Sequence, residues 1–188
     1  MAQVIKLSPT KLLQLRIQLV GMDPVVWRQV LVPALVTLPK LHQIIQAVMG
    51  WQDSHLHEFE INGVRYGQPN PEWDQGLDAV RSEAGVRLEE CLADRKSFTY
   101  VYDFGDDWQH LIQVEEEVHA DQLQSRPVCL AGEGACPPEN VGGIPGYEHF
   151  LSVMSDPTAL EYEDFCSWLG VRAFDPRFFD LKQANLRL

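Results

Sequence analysis

Three histidines and a group of aspartates are the residues here whose type and spacing could do chemistry. His55 and His57 are two positions apart, and His110 follows Asp103, Asp106 and Asp107. On an extended segment, side chains two apart point the same way, about 7 Å from each other. If the segments holding them are neighbouring strands, three imidazoles and a carboxylate meet at one end of a sheet. That set of N and O donors suits a divalent transition metal, with His55, His57, His110, Asp103 and Asp106 as ligands. Such a centre would make the protein a small metal-dependent enzyme, with Glu139 or Asp106 as acid or base. The competing reading is that each His is a hydrogen-bonded structural residue on a half-buried strand, the commoner use of the type.

A second set lies in residues 132–143, GEGACPPENVGG. Glycines let backbone approach a ligand closely and prolines stiffen the frame, so Cys136 and Glu139 are the candidate loop ligands, with Cys136 also a potential nucleophile. A reactive thiol needs a cationic neighbour, and only Arg126 is near in sequence. The run is not a phosphate loop, because no Gly-Lys-Ser/Thr follows. Its alternative role is a turn wrapping the sheet edge. Trp27, Trp51, Tyr100, Tyr102 and Trp108 lack interleaved bases, which assigns them to the core rather than to base stacking. Asp103-Phe104-Gly105 matches the kinase metal-binding triplet without the loops that accompany it.

The elements that must position these residues can be read from periodicity. Leu13, Leu15, Ile17 and Leu19 alternate with polar residues, a turn-forming Gly21-Met22-Asp23-Pro24 follows, and residues 25–32 are rich in β-branched types, giving a hairpin. Thr37 as N-cap, Pro39 in the first turn, the stripe Leu38, Leu41, Ile45, Val48 and a closing Gly50 define a helix. Residues 55–61 alternate up to Asn62-Gly63, the signature of a type I′ turn, and residues 64–66 return. Residues 86–92 give a short strand and a helical turn, and residues 97–117 a second long hairpin around Gly105-Asp106-Asp107. The tail reads as helices over 147–154, 162–169 and 176–185. The expected fold class is α+β: an antiparallel or mixed sheet of two or more hairpins with helices packed on one face. It forms a single domain over 1–188, with a flexible N-terminus at 1–10, a surface loop at 67–85 and a Gly/Pro-rich loop at 125–146.

Composition narrows the partners. The 188 residues carry 27 acids against 15 Lys and Arg, a net charge of −12, and 45% are hydrophobic, which excludes disorder and fibre. Bulk electrostatic binding of nucleic acid needs clustered bases and is not expected. The charge is uneven. Residues 1–52 hold five bases and one acid, whereas residues 103–164 hold fourteen acids and the single base Arg126. That acidic face either solvates the fold, docks a basic protein partner, or attracts the basic N-terminal segment. Cys91, Cys129, Cys136 and Cys166 match no CxxC or disulfide framework, and no signal-peptide or membrane-spanning run is present, so a cytoplasmic protein without a membrane association is expected.

Several stretches in order resemble one family. They are Asp23-Pro24-Val25-Val26-Trp27-Arg28, TLPKLHQIIQAVMGWQDSHLHEFEI from Thr37, YVYDFGDDWQHLIQVEE from Tyr100, CPPENVGGIPGYEHFL from Cys136 and the closing FDPRFFDLKQANLRL. Together they resemble the plasmid pRiA4b ORF-3-like family, from about Leu12 to Leu188. Members are often labelled mobile-element passenger proteins, or TnpR, and the resemblance brings no defined biochemical activity. A resolvase needs a nucleophilic Ser backed by several Arg and a basic DNA-binding module. Here Ser8 is the only Ser before Ser54 and the last third is acidic. The chain therefore reads as a binding or accessory protein with a possible mobile-element association, and the metal-dependent enzyme is the alternative.

Overall fold

The computed structural model describes residues 10–70, 76, 79–120 and 126–188. Apart from Thr10, the expected flexible N-terminus lies outside these residues, as do positions 71–75 and 77–78 of the expected surface loop and 121–125. Among the described residues, eight strands form one sheet in the order β5-β4-β3-β6-β7-β1-β2-β8. They are β1 (Thr10–Leu19), β2 (Trp27–Pro33), β3 (His57–Ile61), β4 (Val64–Gly67), β5 (Arg81–Ser82), β6 (Ser97–Tyr102), β7 (Trp108–Ala120) and β8 (Val128–Glu133). Every pairing is antiparallel except β4 with β5, so the sheet is mixed and the α+β expectation holds.

The helices are α1 (Leu38–Met49), α2 (Leu88–Leu92), α3 (Gly143–Met154), α4 (Tyr162–Leu169) and α5 (Leu181–Arg187). Because β3 pairs with β6 rather than with β2, α1 must carry the chain across the sheet between the two hairpin groups. It does so on a stripe of Leu38, Leu41, Ile44, Ile45, Val48 and Met49, all buried. Each such side chain contributes roughly 1.5–3 kcal/mol of transfer free energy. The helix ends at Gly50, whose φ of 97° would strain any side chain. Thr37 sits at the N-cap position, but its side chain makes no capping bond. Against α1 the sheet presents Leu15, Ile17, Phe59, Tyr100, Tyr102, Trp108, His110 and Ile112, none more than 1% exposed. Helices α3 and α4 add Tyr147, Phe150, Val153, Met154, Tyr162 and Cys166 to the same buried cluster.

Several expected elements differ, among them the short strand expected at 86, whose place is taken by β5 (Arg81–Ser82) inside the expected 67–85 loop. Residues 128–133, read as loop, form the edge strand β8, which alternation could not reveal because Val128 and Leu130 are exposed and its register slips between Gln29 and Val30 of β2. The helix expected from Pro176 starts only at Leu181: Asp175 Oδ1 closes a turn by accepting from Arg177 N, and Asp180 caps α5 by accepting from Gln183 N at 3.0 Å. Strand β3 starts at His57, leaving His55 in the bend before it. No helix among the described residues is long and apolar enough to cross a membrane.

Candidate functional site

The turn after β6 is the first organising feature. Asp103 adopts a positive φ of 56°, and its Oδ1 accepts the amides of Gly105 at 2.9 Å and Asp106 at 3.3 Å. An Asp can hold its own turn in this way because its short side chain reaches the backbone two residues on. Asp106 then ties the Gly/Pro-rich loop to the turn, its Oδ2 accepting from Gly142 N at 3.1 Å. A Cβ on Gly143 would come within 2.7 Å of the Asp106 carbonyl oxygen, so a glycine is required there.

Glu139 anchors the same loop from the other side. It accepts from Gln52 N at 2.7 Å and from the Tyr102 hydroxyl at 3.1 and 3.2 Å, while Trp51 Nε1 donates to Pro137 O at 2.9 Å. Burial pushes the Tyr102 phenol up, and the nearby Glu139 charge adds to the effect, so the hydroxyl stays protonated and donates. Ser54 N donates to the same oxygen at 2.9 Å.

Between these two carboxylates lies His55. Its Nε2 is 3.4 Å from Asp103 Oδ2 and 3.8 Å from Glu139 Oε2, is shielded from solvent and makes no hydrogen bond among the described residues.

The expected three-histidine convergence does not occur, and the reason is the start of β3. Since His55 precedes the strand, the period-2 rule does not apply to the pair, and His57 turns elsewhere. It stacks on His42 of α1, with ring centroids 3.5 Å apart and planes 6° from parallel, and its Nε2 bonds Glu83 at 3.0 Å. His42 bonds Asp53 through Nε2 and the Tyr100 hydroxyl through Nδ1, both at 2.7 Å. Burial lowers the His42 pKa, and His57 beside it lowers it further. His110 is fully buried. Its Nδ1 faces the carbonyls of Trp108 at 2.9 Å and Tyr100 at 3.3 Å, so it carries the proton, and its Nε2 has no partner among the described residues. Among the described residues, no three His, Cys, Asp or Glu side chains form a group that could hold a metal ion.

Of the expected site residues, the fold therefore gathers His55, Asp103 and Glu139, and leaves Asp106 as a loop tie, His57 in a histidine pair and His110 in the core. Cys136 is half-buried and its thiol is pushed up to about 12 by burial, with Arg28 opposing, so it is no nucleophile at neutral pH. All four cysteines are free. Sequence reading missed His42, although the signal was present: it lies four residues after Leu38 and three before Ile45, inside the apolar stripe.

The acidic segment divides in two. At the far end of β7, Glu117 pairs with Lys11 at 3.1 Å and with Lys96 at 3.4 Å, and Glu115 accepts from Gln14 and Gln29. That charge is engaged internally. From Pro127 to Val171, by contrast, there are seven carboxylates and no Lys or Arg. These residues form β8, the loop, α3 and α4.

Comparison with known proteins agrees with the motif order. The family model described as plasmid pRiA4b ORF-3-like protein matches residues 11–183. The chain belongs to this family. The uncharacterised protein y4hQ of Sinorhizobium fredii (strain NBRC 101917 / NGR234) is 38% identical over 173 residues, covering 92% of this chain and 88% of its own length. The crystal structure of a protein of unknown function, MM3350 from Methanosarcina mazei Go1, superposes with a TM-score of 0.80 at 37% identity. It covers 93% of this chain and 98% of the other. The ORF-3-like fold is thus shared across nearly the full chain by relatives of undefined activity.

Proposed function

We propose that this ORF-3-like protein is a binding domain that docks a basic protein partner on the end of the molecule built from β8, the Glu139 loop, α3 and α4. The observation that carries the reading is the segment from Pro127 to Val171, with seven carboxylates and no Lys or Arg. Among the described residues, three of these carboxylates have a basic side chain in reach: Glu139 has His55, Glu161 bonds His149 and Glu163 pairs with Arg172. A predominantly acidic surface of this kind steers an oppositely charged partner and disfavours acidic ones. An accessory role beside a mobile element, which the TnpR label suggests, would be one setting for such a partner.

The test is fluorescence anisotropy with labelled oligolysine, an oligoglutamine of equal length serving as control. Binding should weaken with added salt and in a Glu148→Gln, Asp156→Asn, Asp164→Asn variant. It should persist in a Glu60→Gln, Glu90→Gln, Asp94→Asn variant, which loses the same charge elsewhere. Equal weakening in both variants, or no binding to the native protein, refutes the assignment.

A further inference from the structure

Within that acidic end, α4 and the loop frame an open surface pocket of about 260 Å³ lined by Asn140, Val141, Glu161, Asp164, Phe165 and Trp168. Phe165 and Trp168 lie one turn apart on the helix, their ring centroids 5.9 Å apart and their planes inclined by 62°. Both rings are held from beneath by the buried Phe150, at 5.3 and 6.2 Å, so the aromatic corner is preformed. Trp168 is nevertheless 47% exposed. The Asp164 carboxylate has no hydrogen-bond or ion-pair partner among the described residues, and Glu161 is engaged only by His149. Asn140 and Trp168 also line an adjoining cleft of about 470 Å³ that runs past Pro137, Pro138 and Glu139 to Trp51 and Phe174.

The chemistry of this corner selects its occupant. An apolar side chain in the pocket would strip water from Asp164 with nothing to pair it, which costs free energy. A cation offsets that loss, and an indole face flanked by carboxylates is a favourable seat for an ammonium or guanidinium group. Among the described residues, no Lys or Arg lines either pocket. We propose that Trp168, Phe165, Asp164 and Glu161 seat the side-chain cation of a lysine or arginine in an extended segment of the partner. The flanking residues of that segment lie in the cleft beside Glu139. This rests on the basic-partner reading above and adds where, and by what contact, the partner is held.

Two measurements test it. In the oligolysine titration, Trp168→Leu should weaken binding about fivefold, the equivalent of ~1 kcal/mol, while Trp168→Phe retains most of the affinity. Urea midpoints would establish that both variants fold. Independently, the indole N–H resonance of Trp168 in the native protein should shift on titration with tetramethylammonium chloride and not with sodium chloride. Native-like oligolysine binding by folded Trp168→Leu, or an unmoved Trp168 resonance, overturns the seat and leaves the acidic face standing. Failure of oligolysine to bind the native protein removes both.

Discussion

His110 gives the sharpest prediction, because its environment is closed on every side. It is 0% exposed, packs between Trp51 and Tyr100, and presents Nε2 to no donor or acceptor among the described residues. Burial lowers its pKa from 6.5 to about 4, although the carbonyls of Tyr100 and Trp108 pull the other way. The unfolded chain therefore binds a proton at this residue as pH falls below 6.5, whereas the native chain resists it until about 4. Stability is unaffected above that window and is lost as pH falls through it. Each tenfold change in proton affinity is worth ~1.4 kcal/mol, so the full loss is about 3 kcal/mol, of which about 2 kcal/mol is already felt near pH 5. The assay is urea unfolding followed by tryptophan fluorescence at about pH 8 and about pH 5, on native protein and His110→Phe. The variant loses the bond to Trp108 and starts less stable, yet it lacks the titrating group. The gap between the two proteins should therefore narrow or reverse by about 2 kcal/mol at the lower pH. Carboxylates and His42 titrate in both proteins and cancel. A gap that stays constant to within ~0.5 kcal/mol would show that His110 is protonated without strain and refute the burial argument.

Other outcomes follow from the buried polar groups. Arg28 is 2% exposed, lies 4.1 Å over the Phe179 ring and donates to the carbonyls of Val48, Trp27, Glu133 and Gly134. Replacing it with Met strands those acceptors where α1 meets the β8 end, and should cost about 3 kcal/mol or more in chemical unfolding. A loss below ~1 kcal/mol would contradict the arrangement. The Cys136 thiol, raised from 9.0 to about 12, should react with iodoacetamide at about pH 8 roughly a thousandfold more slowly in the native than in the unfolded protein. Comparable labelling rates, read by mass spectrometry, would show that the loop does not enclose it.

How much of the site was legible can be judged residue by residue. The Asn62-Gly63 turn was readable because both positions need positive φ, which few residue pairs tolerate, and they take 58° and 74°. The helix stripe of α1 and the hairpin of β6 and β7 were equally local, since one element's periodicity states which face is buried. Strand β8 was not readable, because an edge strand with one buried position shows little alternation. The pairing of His55 with Glu139 was beyond reach as well: it depends on the loop being folded back by Asp106, Tyr102 and Trp51, contacts between residues far apart in the chain.

By itself, the sequence determined the class of fold, the family, the order of most elements and the segregation of charge, all of which are set by composition, short-range pattern or motif order. Only the tertiary structure decided what the reactive residue types do. It placed His57 against a histidine from another element, buried His110 and half-buried Cys136 so that both resist ordinary ionisation, and neutralised Glu117 with Lys11 and Lys96. It also left Asp164 without a partner among the described residues, beside an exposed indole. The physical reason is that protonation, pairing and access depend on solvent exclusion and on neighbours a few ångströms away, and a neighbour brought in by the fold leaves no mark on local spacing.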